Sequence, residues 1–189
     1  VAPGKLRIRL ARQTLMTRLG LELEPVARAA LENALEDPAC QAVRGTFVTL
    51  TMAGELRGCI GHLTGVAAVV ESVRQNAVSA GFRDPRFSAL TTPELDAVAI
   101  EISVLTEPRP LAYDDAEDLI RRLRPEVDGV IISKRGASAT FLPQVWAQLP
   151  DADAFLSHLC MKAGLPEKSW QDGDLEVSTY QVQSFEEGA

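Results

Sequence analysis

Apolar residues between positions 5 and 20 recur at helical spacing, with Ile8, Ala11, Leu15 and Leu19 on one face and Gly20 at the end. Pro25 suits the first turn of a second helix running to about Glu36, and Asp37–Pro38 closes it. The period then changes. GTFVTLTM (45–52) is rich in β-formers, and Ala53–Gly54 can turn the chain into ELRGCIG (55–61), giving a hairpin. A two-residue turn there pairs Cys59 with Val48 and Arg57 with Leu50. Thr64 reads as the N-cap of a helix whose Val66, Val69, Val70, Val73, Ala77 and Ala80 form a stripe that stops at Gly81. After an irregular stretch, FRDPRFSALTTPEL, the segment AVAIEISVL (97–105) alternates with period two, setting Val98, Ile100, Ile102 and Val104 against Ala99, Glu101 and Ser103.

Beyond the spacer EPRP (107–110) the order repeats. Asp114 and Glu117 resemble a capping box for a helix to about Leu123. GVIIS (129–133) and ATFL (139–142) make a hairpin around Lys-Arg-Gly. Residues 153–163 form a helix ended by Gly164, and LEVSTYQV (175–182) is a last strand. Helix, hairpin, helix, strand thus occurs twice. The expectation is an α+β domain over 5–185, with pseudo-duplicated halves (5–106 and 111–185) sharing a mainly antiparallel sheet, since a lone three-stranded unit is marginal.

Bulk composition narrows the function classes. With 26 acidic and 19 basic residues the net charge is −7, and no run of Lys or Arg offers a phosphate backbone a track, which argues against nucleic acid. Three scattered cysteines, Cys40, Cys59 and Cys160, form no CxxC pair and fit a reducing compartment better than a disulfide framework. VAPGKLRIRL lacks the uninterrupted apolar stretch of a secretory signal, and the Val66–Ala80 stripe is too short and polar to span a bilayer. The expected location is cytoplasmic. Two histidines without ligand spacing give no zinc site, and no dinucleotide or phosphate-loop fingerprint implies a cofactor.

Chemistry concentrates in GELRGCIGHL (54–63). Glycine weakens a strand, so Gly58 and Gly61 ask for a reason: either backbone packs closely there, or a ligand does. Arg57 and Cys59 share a face by parity, and a guanidinium beside a thiol favours the thiolate. His62 has the other parity and reaches Cys59 only if the chain leaves extended geometry at Gly61. Glu101 is a candidate acid–base group if its strand lies nearby. Each residue also has a plain structural role open to it: Cys59 as core filler, His62 as a surface group, Glu101 facing water. In Asp84-Pro85-Arg86-Phe87, Arg86 either bonds free carbonyls or, on a loop, binds substrate.

GTFVTL, LRGCIGHL, DPRF, IEISVLT, FLPQV and LCMKAGL occur in the order and rough spacing of the AMMECR domain family, which the chain resembles from about Leu6 to Phe185. The resemblance implies an α+β fold with internal duplication. It also implies partnership with a Memo-family protein and a radical SAM enzyme, and it places the signature on Leu56, Arg57, Gly58, Cys59, Ile60 and Gly61, lining a cleft. Two functions are expected. One is enzymatic, with Cys59 as nucleophile, Arg57 binding an anionic group, His62 or Glu101 moving protons, and Gly58, Gly61, Asp84 and Arg86 contacting the ligand. The other is a binding module without chemistry that serves those two partners through Arg57 and Arg86.

Overall fold

Pro3 opens α1 (Pro3–Arg18) in the computed structural model, which describes residues 2–188. Ile8, Ala11 and Leu15 of the expected face are buried, together with Leu6 and Leu10, while Leu19 is half-buried just past the helix. Pro25 opens α2 (Pro25–Ala34). Asp37 does more than end that helix: its carboxylate accepts the Ala39 N–H at 2.8 Å and caps α3 (Pro38–Gln41). The hairpin comes next as β1 (Thr46–Met52) and β2 (Glu55–His62), joined through Ala53 and Gly54 at φ +52° and +83°, the left-handed pair that a tight two-residue hairpin needs.

Thr64 is not a cap. The next helix, α4 (Val69–Phe82), has its N-cap at Ala68, because Ala68 bridges to Val43 and the Val69 N–H bonds the Ala42 carbonyl at 2.9 Å. That bridge draws the preceding residues out of helical geometry and leaves Val66 exposed. Nor does Gly81 stop the helix, which runs one residue further. The irregular stretch contains a single turn, α5 (Thr92–Leu95), before β3 (Val98–Leu105). β4 is only Arg109–Pro110, and the cap of α6 (Ala116–Arg122) is Asp115, one residue past the expected Asp114. β5 (Gly129–Lys134), β6 (Ala137–Phe141), α7 (Ala152–Lys162), β7 (Glu176–Tyr180) and β8 (Val182–Glu186) complete the order.

The α+β class holds, but the strands do not share one sheet. They form two four-stranded sheets, ordered β2-β1-β3-β8 and β4-β7-β5-β6. The reason lies at Gln181. Its N–H donates to the Thr106 hydroxyl oxygen at 2.9 Å, its carbonyl accepts the Thr106 N–H, and its side-chain amide donates to Asp128. The expected last strand therefore breaks there, and β8 returns to the first sheet beside β3. One compact unit comprises residues up to Leu105 with those from Gln183 onward; the other is Thr106–Val182. In the first, α1 and α4 cover one sheet face, packing on Val48, Leu50, Ile100 and Ile102. In the second, Trp146 stacks on Phe155 at 3.7 Å over Leu119, Val130 and Ile132.

Candidate functional site

β2 is an edge strand, and its register carries the site. Met52 pairs with Glu55 and Thr51 with Leu56, as a two-residue turn requires, but Leu50 then pairs with Gly58. Arg57 is the extra residue of a β-bulge. The slip corrects the expected pairing: Cys59 lies opposite Thr49, not Val48, and so faces away from the helices. Cys59 is half-buried there, and the Thr49 hydroxyl donates to its sulfur at 3.3 Å. On its other side Thr49 pairs with Glu101 of β3, which accepts from the Ser103 hydroxyl at 3.1 Å. Cys59, Thr49 and Glu101 thus form one cross-strand row. Two strand spacings separate the ends of that row by about 10 Å, so Glu101 reaches the sulfur only through water or a bound molecule.

The glycines have a packing reason. A Cβ on Gly58 would sit 2.2 Å from the Ala80 carbonyl oxygen of α4. On Gly61 it would sit 2.3 Å from the Thr46 carbonyl oxygen and against the Phe47 ring. What approaches these positions is the protein itself, so the expected ligand contacts at Gly58 and Gly61 give way to close packing of strand, helix and ring. His62 does not join Cys59 either. β2 stays extended through Gly61 to His62, which pairs with Thr46, is exposed, and shares a groove with Ile60, Arg74 and Arg83.

Arg57 is buried, and two of its three guanidinium nitrogens are committed, while Nη1 is buried without a hydrogen-bond partner. Nε and Nη2 bond the two oxygens of Glu94 at 3.0 and 3.2 Å, a bidentate pair that ties the bulge to α5. Glu94 also accepts the Thr91 N–H and hydroxyl. The Arg57 fork first and the Thr91 donors second lower its pKa to about 2. Priming of the thiol by Arg57 is therefore replaced by a neutralised pair.

Asp84 and Arg86 hold Cys59 from the open edge. A residue opposite Thr49 in this register presents its N–H and carbonyl outward, where no strand pairs them. The buried Asp84 accepts the Cys59 N–H at 3.0 Å, and Arg86 Nη2 donates to the Cys59 carbonyl at 3.3 Å. Arg86 also bonds both oxygens of Asp84, at 3.0 and 2.7 Å. Its guanidinium, with the Cys59 N–H, holds the Asp84 carboxyl far below the usual carboxylate range despite burial. The carbonyl that Arg86 bonds is that of Cys59 on β2, not one of the preceding helix end where the sequence placed the contact. Cys40 and Cys160 lie in the core, where desolvation raises both thiol pKa values.

A family model described as AMMECR1 matches residues 8–185. The chain belongs to the AMMECR1 family. A family relative from Methanothermobacter thermautotrophicus is 41% identical over 145 residues, 76% of each chain. Protein Mbar_A1807 of Methanosarcina barkeri is 36% identical over 186 residues, covering 97% of this chain and 90% of its own. The crystal structure of protein PH0010 from Pyrococcus horikoshii matches with a TM-score of 0.77 at 33% identity, covering 98% and 91% of the two chains. In this AMMECR1 chain the signature is thus a bulged edge strand. Among the described residues no three His, Cys, Asp or Glu side chains gather to hold a metal ion, and no helix is long and apolar enough to cross a membrane.

Sequence reasoning missed Thr49 and Glu94. Thr49 lay one register step from view. Glu94 stood in Thr91-Thr92-Pro93-Glu94, a T-x-x-E pattern with proline in the first turn, which marks a helix start.

Proposed function

We propose that this AMMECR1-family protein uses Cys59 as the nucleophile of a small-molecule site on the face of its first sheet turned away from α1 and α4. The observation that carries the reading is the half-buried sulfur with the Thr49 hydroxyl 3.3 Å away. That donor is a contact the sulfur would keep on losing its own proton. Glu101 lies in the same row, at a distance that leaves room for a bound molecule, and can take up or return a proton through it. Asp84 and Arg86 fix the Cys59 backbone, so the nucleophile is held on a rigid strand. The Memo-family protein and the radical SAM enzyme belong to this proposal as partners that supply or consume the small molecule. The binding-module reading has less support, because Arg57 and Arg86 already engage Glu94 and Asp84.

Iodoacetamide applied to the native protein tests the proposal, with each cysteine followed by mass spectrometry. Cys59 should be carboxamidomethylated well before Cys40 or Cys160, and Thr49→Val should change its rate while leaving the melting temperature near the parent value. Labelling of Cys59 only after denaturant is added would overturn it. With both partners present, Cys59→Ser should abolish turnover of their shared small molecule; undiminished turnover would leave the protein a binding module.

A further inference from the structure

Two grooves on the helical side of the first unit run into one another. One, of about 390 Å³, lies among α1, α2 and α4 and is lined in part by Leu10, Leu23 and Val78. The other, of about 500 Å³, lies between the end of β2 and α4, with Ile60, His62 and Ser79 on its wall. Thr14, Arg74 and Val78 border both, so the two lobes adjoin across these side chains. Each lobe is within the size range of small-molecule sites, roughly 300–1,000 Å³.

Their charge runs against the rest of the molecule. The chain has more acids than bases, 26 against 19, yet Arg18, Arg28, Arg74 and Arg83 line these two lobes against Glu32, with Glu22 and Glu24 in an adjoining hollow that shares Thr17, Leu23 and Arg28. Arg74 is anchored at the centre. Its Nη2 bonds both Glu32 oxygens, at 2.8 and 2.6 Å, with Glu71 3.9 Å from Nη1. Arg18 lies over the Phe82 ring at 5.6 Å. Arg28 and Arg83 are exposed and have no carboxylate partner among the described residues; Glu22 and Glu24 line the adjoining hollow with Arg28 and form no ion pair with it. The Thr14 and Thr17 hydroxyls donate to the Leu10 and Gln13 carbonyls, which leaves their lone pairs free to accept.

Like charges gathered around a concavity raise its potential and concentrate anions there. A guanidinium fork matches phosphate oxygens two at a time, and apolar walls suit a ring or chain attached to the phosphate. We infer that these adjoining lobes bind a small phosphorylated organic molecule, with Arg28 and Arg18 at one end and Arg83 and His62 at the other; Arg74, held by Glu32, forms the wall between them. The site is distinct from the Cys59 row. His62 and Ile60 project from β2 on the parity opposite to Cys59, which gives His62 a place the thiol site does not.

Isothermal titration calorimetry of the full chain at low salt, with ADP and inorganic pyrophosphate as probes, tests the assignment. ADP should bind, more tightly than pyrophosphate because of the apolar walls. Arg28→Glu combined with Arg83→Glu should weaken ADP about tenfold or more, some 1.4 kcal/mol. Both side chains are exposed, so the double variant should melt near the parent temperature. Arg135→Glu, in the exposed β5–β6 turn, controls for general charge and should leave the affinity within about twofold. No heat from either probe at millimolar concentration, an unchanged affinity in the double variant, or an equal loss in Arg135→Glu would each overturn the site. Pyrophosphate binding as tightly as ADP would overturn the organic part.

Discussion

Gly58 and Gly54 lie four residues apart and are glycine for different reasons. At Gly54 the space is open and the constraint is φ, +83°. At Gly58 the constraint is space, with the Ala80 carbonyl 2.2 Å from where a Cβ would be. A methyl at Gly54 therefore costs only backbone strain, about 1–2 kcal/mol. A methyl at Gly58 must push a helix backbone off a strand, and overpacking of that kind costs about 3 kcal/mol or more. Urea unfolding of Gly54→Ala and Gly58→Ala should rank them in that order; equal midpoints would mean α4 does not close on β2 as described. The Cys59 clamp has a similar asymmetry. Arg86→Ala would leave the buried Asp84 carboxylate with two backbone N–H partners and no counter-charge, at a cost of about 1–3 kcal/mol. Adding Asp84→Asn removes that charge, so the double variant should unfold at higher urea than Arg86→Ala alone. If it does not, Asp84 and Arg86 act independently.

At the scale of elements, what could be read from the chain was what repeats along it. The 3.6-residue stripe of α1, the alternation of β3 and the left-handed turn at Ala53–Gly54 depend on local pattern, and each forms where that pattern placed it. The bulge at Arg57 does not depend on local pattern. Nothing in ELRGCIG marks one residue as extra, because the slip is set by Glu94 holding Arg57 from outside the hairpin. One unmarked residue moved Cys59 from Val48 to Thr49 and so decided which groups surround the sulfur. The same contact has a pH signature. Glu94 is held at about 2 in the fold, against roughly 4.3 for a free glutamate, so the fold favours its ionised form. That contribution is complete above the free value and is lost as pH falls through the window from about 4.3 to 2. Glu94→Gln should therefore be less stable than the parent at pH 7, by about 1–3 kcal/mol for the unpaired buried guanidinium. Its deficit should shrink as pH drops through that window. A deficit independent of pH would show that the carboxylate charge is not what holds the bulge.

For the molecule as a whole, the last strand is the piece that a reading by halves could not assign. Residues 175–182 alternate well enough to be one strand, and only Thr106 and Asp128, distant in sequence, take up the groups of Gln181 and break it. The chain from Gln183 onward belongs to the first unit. Phe185 fills the space over Gly4 and lies under the Arg7 guanidinium at 5.3 Å, Ser184 meets Ser103 at 3.1 Å, and Glu187 pairs with Arg12. Arg12 also donates to the Leu95 and Val98 carbonyls, so this pairing joins α1 to the start of β3. The outer edge of the first sheet is therefore built from chain that has already passed through the second unit. Truncation after Gln181 should act selectively. Hydrogen exchange should quicken in β3 and α1, while β5 and β7, whose pairing is complete within Thr106–Val182, keep their protection. Cys59, with β1 and β3 between its strand and the lost edge, should then label faster with iodoacetamide, because β1 and β2 rest on β3. Loss of protection in β5 and β7 to the same extent would mean that the two units unfold as one, and the selective role given to β8 would fall.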